Sequence, residues 1–304
     1  MFKCTTCGKV YDDPGDGFCP DDGDLLQICA EPVSESTAVS SEETIPRGPQ
    51  GANGLGIVVM DLSGSMTEPA FVASEDPAYS SKSKLEVMAH AFGSAIQELT
   101  TMSNAENAYV AVIGFSEKAR VLGLFRVSEM KPDWKYWTDW VMQQIGSFCT
   151  QTNITEALKL ARKLYDGALK GDLTPWGIQS FAPLYHTISI GSDIVEVPNI
   201  RVFLYSDGEH NVGNFENAFD KATLVPNMNV SGLITAFFGN IGDPGDQTMQ
   251  EIAGICPIHN FKGFFWINNP KAFPFLRNVI HMTTTASGFC AECAKEGRTA
   301  IGRR

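Results

Sequence analysis

Short apolar runs alternate with amphipathic stretches from about residue 53 to residue 285. Apolar runs bounded by polar loops predict buried strands, at 55–60, 109–115, 201–205, 233–238 and 261–267. Apolar residues at the helical period predict helices between them, at 84–99, 134–145, 154–165, 247–255 and 271–281. This alternation is typical of an α/β fold with a doubly wound, mostly parallel sheet and helices on both faces. Residues 119–127 are expected to add an antiparallel edge strand, and residues 166–199 fit none of these patterns.

The two ends of the chain differ in composition from this central part. Residues 1–28 are rich in Cys, Asp and Gly and hold too few large apolar side chains to form a core without a metal ion. Residues 29–52 are rich in Ser, Glu, Thr and Pro, which predicts a flexible acidic linker. We therefore predict four parts, namely a zinc module at 1–28, the linker at 29–52, the α/β domain at 53–285 and a tail at 286–304.

Charge and hydropathy narrow the range of partners. Lys and Arg number 23 against 35 Asp and Glu, and the resulting net charge of -12 disfavours nucleic acid or an anionic membrane as the main partner. No run approaches the ~20 apolar residues that cross a bilayer, and the start at residues 1–4 lacks the apolar stretch of a secretion signal. We therefore expect a cytoplasmic protein that binds neither nucleic acid nor a membrane.

Oxygen-bearing side chains cluster where predicted strands end. Asp61, Ser63 and Ser65 follow the first strand, Asp207 follows the strand at 201–205, and Thr152 precedes the helix at 154–165 as its expected N-cap. Sheets of this class place ligands at the carboxyl ends of their strands, where the strand order reverses. Because carboxylate and hydroxyl oxygens suit Mg²⁺ or Mn²⁺, these five residues are predicted to form one metal site.

These motifs resemble the metal-ion-dependent adhesion site (MIDAS) of von Willebrand factor A (vWA) domains. The resemblance is carried by Asp-x-Ser-x-Ser at 61–65, Thr-Asn-Ile at 152–154 and Asp-Gly at 207–208, and it covers about residues 53–285. It implies a vWA, Rossmann-like fold in which the three hydroxyls contact the ion and the two aspartates contact it directly or through water. It also implies a sixth position that accepts a carboxylate from a partner protein.

Within that family, three segments resemble the bacterial tellurite-resistance-associated (TerY-like) branch. They are Asp-Leu-Ser-Gly-Ser-Met at 61–66, Phe-Phe-Trp-Ile at 264–267 and the Cys-x-x-Cys of the tail. That branch is encountered with protein kinases and phosphatases. The resemblance therefore implies partners of these kinds in a bacterial stress or signalling system.

Cysteine spacing predicts a zinc site near the start of the chain. Residues 4–8 and 19–23 share one frame, in which a ligand, two residues, a second ligand and a glycine follow one another. The glycine allows the turn that brings both ligands to one ion. The expected Zn²⁺ ligands, which resemble those of a bacterial zinc ribbon, are Cys4, Cys7, Cys19 and Asp22.

Other arrangements of the cysteines remain open. Cys29 could be the fourth ligand in place of Asp22, or the tail pair Cys290 and Cys293 could fold back to complete a zinc site with Cys4 and Cys7. The tail pair could also be a redox-active dithiol. The isolated cysteines are otherwise predicted to be small buried apolar side chains, namely Cys29, Cys149 and Cys256.

These features predict a non-enzymatic adaptor that holds an Asp or Glu of a partner protein through Mg²⁺. A metal-dependent hydrolase or phosphatase is the first alternative, with His210 as candidate general base, although an ion held mainly by hydroxyls is a poor generator of a nucleophile. A nucleic-acid-binding role for residues 1–28 is the second, but this segment lacks a basic or aromatic face. The loop at 67–82, with Phe71 and Tyr79 as expected contacts, is predicted to select the partner.

Overall fold

The central part of the chain alternates strands and helices in a computed structural model. The structure describes residues 2–4, 8–11, 19, 26–28, 54–71, 81–145, 151–179, 181–183, 185–190, 193–219, 233–239, 242–256, 258–268, 270–285 and 290. The strands are β1 (Phe2–Cys4), β2 (Val10–Tyr11), β3 (Leu26–Ile28), β4 (Gly54–Asp61), β5 (Ala108–Phe115), β6 (Ala119–Arg126), β7 (Tyr185–Ile190), β8 (Asp193–Pro198), β9 (Ile200–Ser206), β10 (Leu233–Phe237) and β11 (Phe264–Trp266). The α-helices are α1 (Lys84–Leu99), α2 (Trp134–Met142), α3 (Ile154–Leu169), α4 (Pro244–Ile252) and α5 (Phe273–Thr285).

Six strands form the main sheet in the order β11-β10-β9-β4-β5-β6. Neighbouring strands are parallel except for β5 and β6, whose antiparallel pairing confirms the predicted edge strand. Every residue of β4, β5 and β9 is buried. Both faces of these strands are therefore covered, as their unbroken apolar sequences predict.

The strand order reverses between β4 and β9. From β4 the chain moves outward through β5 and β6, and from β9 it moves outward in the other direction through β10 and β11. In sheets of this type a crevice opens at the carboxyl ends of the two strands that flank the reversal. Asp61 ends β4 and Asp207 follows β9, so the topology brings both aspartates to this crevice.

Helix packing holds the two central strands in place. Helix α5 contacts β4, β9 and α1, whereas α3 contacts β4, β5 and β6. Helix α1 begins with a capping box, in which the Ser83 hydroxyl accepts from the Glu86 backbone N–H and the Ser83 N–H donates to Glu86 Oε2. This box fixes the start of α1 beside the crevice.

The fold class predicted from the sequence is confirmed, and the unassigned stretch 166–199 gains a structure. Helix α3 continues to Leu169, a short 3₁₀ turn covers Thr174–Trp176, and β7 pairs with β8 as an antiparallel hairpin. The last strand is shorter than predicted, because only Phe264–Trp266 pairs with β10. Domain bounds at 53 and 285 stay a prediction.

A small three-stranded sheet, in the order β2-β1-β3, forms near the start of the chain. Its strands pair antiparallel, and Cys4 and Cys19 form a buried cluster apart from the main core. Residues 29–52, predicted as a linker, lie outside the described residues. Within the part of the chain that the structure describes, no helix is long and apolar enough to cross a membrane.

The contact between β4 and α5 gives a test of the packing. A Cβ atom added at Gly56 would lie 2.6 Å from Thr284 Cα, so the helix backbone would have to move. Gly56→Ala should therefore lower the free energy of unfolding by about 1–3 kcal/mol, measured by urea denaturation. Gly54→Ala, on the same face of the same strand, is the control because its Cβ would make an ordinary 3.6 Å contact with Asn199. Equal losses in both variants would contradict this packing.

Candidate metal centre

Asp61 is the most enclosed carboxylate of the crevice, with no exposed surface. Its Oδ1 accepts a hydrogen bond from the Ser63 backbone N–H at 2.8 Å, and its Oδ2 accepts one from the Ser206 hydroxyl at 2.5 Å. The Ser206 hydroxyl oxygen in turn accepts from the Gly208 N–H at 2.9 Å. Asp61 therefore links the loop after β4 to the loop after β9.

Ser63 and Ser65 place two hydroxyls side by side next to Asp61. Their Oγ atoms lie 3.1 Å apart, and the chain between them enters a 3₁₀ turn at Gly64–Thr67. The Leu62 N–H donates to the Phe115 carbonyl at 2.7 Å, which fixes this loop against the end of β5. The spacing of the motif thus presents both hydroxyls on one side of the loop.

Asp207 supplies the second carboxylate and is held by a lysine. Lys84 Nζ lies 3.2 Å from Asp207 Oδ2 and 3.1 Å from Glu68 Oε2, and the Tyr205 hydroxyl donates to the Lys84 carbonyl at 2.6 Å. The other oxygen, Asp207 Oδ1, is buried and has no hydrogen-bond partner among the described residues. One oxygen of Asp207 is thus fixed by Lys84, while the other has its lone pairs available to a ligand.

The electrostatics of the crevice favour a bound cation. Burial, and after it the charge of Asp207, raises the pKa of Asp61 to about 7, although hydrogen bonds from Ser206 and Ser63 act in the opposite direction. Two carboxylates that share a buried site repel each other unless a positive charge compensates them. The residues present therefore fit a hard divalent cation on two grounds, the unpartnered oxygen of Asp207 and the charge on Asp61.

Thr152 joins the crevice through the loop that carries Asp207. Its backbone N–H donates to Asn211 Oδ1 at 2.7 Å, and the Asn211 N–H donates to the Thr152 carbonyl at 3.1 Å. The next residue, Asn153, donates its N–H to the Ser116 carbonyl at 2.7 Å. The three predicted loops are thus connected by hydrogen bonds, and Thr152 is itself buried.

The predicted helix cap at Thr152 is wrong. Asn153 is the N-cap of α3, because its Oδ1 accepts from the Glu156 N–H at 3.2 Å. The Thr152 hydroxyl therefore does not cap α3, although Thr152 directly precedes the capping residue Asn153. This separation of roles lets substitutions distinguish helix capping from metal binding.

Four residues of the crevice were not predicted as part of the metal site, and each acts on the geometry of its neighbours. Lys84 holds Asp207, Ser206 holds Asp61, and Asn211 holds Thr152. His210, predicted only as a candidate base, accepts the Ile154 N–H at its Nδ1 at 3.2 Å, and so helps to fix the start of α3. The sequence around Asp207 could not predict these contacts, because the residues that Ser206, His210 and Asn211 contact lie far away along the chain.

The prediction that Phe71 contacts a partner protein is wrong. This side chain is only 4% exposed and packs near Phe238, with ring centroids 6.2 Å apart. It therefore belongs to the core instead of contacting a partner. Tyr79 lies outside the described residues.

The predicted zinc ligands are only partly described. Cys4 and Cys19 are buried together, and Cys19 Sγ lies 3.3 Å from the Tyr11 hydroxyl. Cys7, Asp22 and Cys293 lie outside the described residues. Cys290 is buried and lies against His259 and Cys256. The fold-back of Cys290 and Cys293 onto Cys4 and Cys7 stays a prediction. Cys256 is buried, as predicted, but it is not isolated, because His259 and Cys290 lie beside it.

The link between Thr152 and Asn211 can be tested by hydrogen exchange. Asn211→Ala removes the acceptor of the Thr152 N–H, so this amide should exchange about 2–10-fold faster, equivalent to about 0.5–1.5 kcal/mol. Asn211→Asp keeps an acceptor oxygen in place and should preserve the protection. The Glu156 amide, held by Asn153, is the internal reference in both variants. Unchanged protection of Thr152 in Asn211→Ala would rule out this link.

Part of the central domain is similar to a known protein family. The family model described as von Willebrand factor type A domain matches residues 57–171. A search of curated protein sequences finds no match to this chain.

Several solved structures resemble the fold at low sequence identity. Proximal thread matrix protein 1 from the mussel byssus, in a structure described as having a zinc occupied MIDAS motif, is 16% identical with a TM-score of 0.44, over 76% of this chain and 48% of that one. The TRAP protein of Plasmodium vivax, described as manganese-loaded, is 14% identical with a TM-score of 0.41, over 76% and 74%. BatB from Bacteroides thetaiotaomicron is 16% identical with a TM-score of 0.40, over 76% and 98%.

The chain thus spans about half the length of the mussel byssus proteins that it matches. The matched segment, 57–171, contains the predicted ligands Asp61, Ser63, Ser65 and Thr152, whereas Asp207 lies beyond it. The sheet order and the sequence motifs agree with this match, and residues 57–171 are thus similar to the von Willebrand factor type A domain family.

Proposed function

We propose that this protein is a metal-dependent adaptor that binds a carboxylate of a partner protein through a MIDAS-type cation. The observation that carries the proposal is the pair of clustered carboxylates, Asp61 and Asp207, with one buried oxygen of Asp207 unpartnered among the described residues. A divalent cation would compensate both charges and would use that oxygen.

The proposed ligands divide into charged and neutral oxygens. Ser63, Ser65 and Thr152 would contribute hydroxyls, and Asp61 and Asp207 would contribute carboxylates directly or through water. Such an oxygen set suits Mg²⁺ or Mn²⁺. When bound, the cation supplies positive charge for a carboxylate from outside, and this local charge outweighs the negative charge of the whole protein.

Lys84 has a positioning role in this proposal. Its ammonium holds Asp207 Oδ2 at 3.2 Å and so directs the other oxygen of the same carboxylate away from the ion pair. The side chain of Lys84 is mostly buried, and Glu68 fixes it from the other side at 3.1 Å. The ion pair therefore orients Asp207 without consuming both of its oxygens.

The alternative of a metal-dependent hydrolase has less support. His210 was the candidate base, but its Nδ1 accepts the N–H of Ile154, and burial lowers its pKa. This nitrogen is thus occupied in holding α3. Phosphatase activity toward a generic phosphate ester that depends on Mg²⁺ and disappears in Asp61→Ala would favour the hydrolase.

Finer parts of the proposal depend on the sequence. The TerY-like motifs favour kinase or phosphatase partners in the bacterial cytoplasm.

For the zinc ribbon at 1–28, the supporting features are the shared burial of Cys4 and Cys19 and the turn that follows Cys4. The ribbon would stabilise a segment that is too small for a core of its own, or would dock a second partner.

Removal of either carboxylate should weaken cation binding. Asp61→Ala and Asp207→Ala each remove one of the two charged ligands from a set whose other members are neutral hydroxyls. The affinity for Mg²⁺ and Mn²⁺ should therefore fall by at least about tenfold, or about 1.4 kcal/mol. Isothermal titration calorimetry measures this directly. Glu129→Gln is the control, because it also removes one acidic charge, but from an exposed side chain that pairs with Arg126 and has no role in the proposed site. Unchanged affinity in both aspartate variants would refute the proposed site.

Partner binding should need the Thr152 hydroxyl but not the cap of α3. Thr152→Ala should weaken partner capture from native lysate by at least about tenfold, whereas Asn153→Ala should cost about 1 kcal/mol of stability and leave metal-dependent capture intact. Each variant is compared in Mg²⁺ and in EDTA. Equal capture in all of these samples would mean that the cation has no role in binding. Loss of capture in Asn153→Ala alone would assign the effect to the helix instead.

A further inference from the structure

The loop between α4 and β11 contains a tight turn at residues 256–261. The Cys256 N–H donates to the Phe261 carbonyl at 2.7 Å, and the Asn260 N–H donates to the Cys256 carbonyl at 2.9 Å. Asn260 has a φ of 55°, which places it in the left-handed region that asparagine tolerates best after glycine. The turn thus brings Cys256 and His259 to the same side of the loop.

The same turn occurs near the start of the chain, after Cys4. There the Cys4 N–H donates to the Lys9 carbonyl at 2.9 Å, the Gly8 N–H donates to the Cys4 carbonyl at 3.0 Å, and Gly8 has a φ of 74°. Both turns bond the first residue to the fifth and sixth in the same directions. The sequence frame that predicts zinc ligation at Cys4-x-x-Cys7-Gly8 therefore recurs at Cys256-x-x-His259-Asn260, where histidine replaces the second cysteine and asparagine replaces glycine.

Cys290 brings a third ligand atom to this turn from beyond α5. His259 Nδ1 lies 3.5 Å from Cys256 Sγ and 3.4 Å from Cys290 Sγ, and the three atoms all lie within 4.8 Å of one another. Both cysteines are fully buried, whereas His259 is half-buried. Residues far apart in the sequence thus converge on one point.

These distances match the edges of a tetrahedral zinc site. With Zn–S bonds of about 2.3 Å and Zn–N bonds of about 2.0–2.1 Å, a tetrahedral angle sets the S···N edge at about 3.5–3.6 Å. Hydrogen bonding explains the arrangement less well, because a ring nitrogen carries either one lone pair or one N–H and cannot serve two sulfurs equally. A central ion satisfies all three atoms at once.

We propose that Cys256, His259 and Cys290 bind a zinc ion, separate from both the MIDAS-type site and the predicted N-terminal ribbon. Thiolate and imidazole ligands select Zn²⁺ over Mg²⁺ or Ca²⁺, which prefer oxygen. The sequence also offers Cys293, at Cys-x-x-Cys spacing from Cys290, as a fourth ligand. Cys293 lies outside the described residues, and the proposal depends on the three ligands that the structure describes.

The site has a structural consequence for the last part of the domain. The segment between Cys256 and Cys290 contains β11 and α5, and β11 is a three-residue edge strand paired only through Thr235–Phe237 within the described sheet. Such a short parallel edge gains little from its own hydrogen bonds. A zinc ion that closes this segment would hold the edge strand and the end of α5 against the sheet.

Zinc content of the full-length protein tests the proposal. The Cys4→Ser/Cys19→Ser background removes both described ligand candidates of the N-terminal ribbon, so zinc that remains must be bound elsewhere. This background should retain about one zinc per chain by elemental mass spectrometry. Adding Cys256→Ser or His259→Ala should lower zinc content at least about tenfold, whereas His259→Cys should retain it because cysteine is also a zinc ligand. Hydrogen exchange in β11 should accelerate in the variants that lose zinc.

Controls keep the outcome interpretable. His281→Ala replaces another half-buried histidine, in α5, and should leave zinc content unchanged. If Cys256→Ser does not fold, the comparison of His259→Ala with His259→Cys decides, because that side chain is only half-buried. The proposal is overturned if the background variant holds no zinc, if His259→Ala retains its zinc, or if Cys256 and Cys290 form a disulfide in protein prepared with zinc and a thiol reductant.

Discussion

The carboxylates of Asp61 and Asp207 impose the main physical constraint on this domain. Each follows or ends a strand beside the reversal of strand order, and both lie where water cannot fully solvate them. Burial, and after it the repulsion from Asp207, raises the pKa of Asp61, and added positive charge would offset both effects. Lys84 supplies part of that charge to one oxygen of Asp207, and a divalent cation among the neighbouring hydroxyls would supply the rest.

The surrounding loops are built to hold these oxygens in place. Ser206 joins Asp61 to the loop after β9, and Asn211 joins that loop to Thr152. Gly208 allows the close packing needed here, since it has a φ of 80° and a Cβ would lie 2.5 Å from the Gly245 carbonyl oxygen. Each of these contacts joins one loop to another. A cation at this point would therefore be linked, through these loops, to α3 and α4 as well as to β4.

The two proposed sites would use different kinds of metal chemistry at different places. Hydroxyl and carboxylate oxygens lie at the reversal of the sheet, and the sulfur and nitrogen atoms of Cys256, His259 and Cys290 form a separate cluster. Hard cations that exchange ligands suit a binding role, whereas a thiolate-bound zinc suits a structural one. Ligand type would thus separate the proposed recognition site from the proposed stabilising site within one chain.

The sequence by itself determined the order of the elements and the positions of the oxygen-rich loops. Unbroken apolar runs predicted the buried strands, and Asp61, Ser63, Ser65, Thr152 and Asp207 were named from motifs next to strand or helix ends. Helical and strand periods are local properties of the sequence, so they can be recognised before any tertiary contact is known. The same holds for the capping chemistry of α1, where Ser83 and Glu86 are three residues apart.

Only the tertiary structure decided which distant side chains meet. Lys84 with Asp207, Asn211 with Thr152, and Cys256 with Cys290 are pairs that no local period connects. The sequence also placed a cap at Thr152, because two neighbouring side chains, Thr152 and Asn153, could each cap the helix and only the fold selects Asn153. It left 166–199 unassigned, although the structure forms the β7–β8 hairpin there. Cys256 looked isolated because one of its two neighbours in the cluster, Cys290, comes from a segment beyond a whole strand and helix, and the other is a histidine, His259.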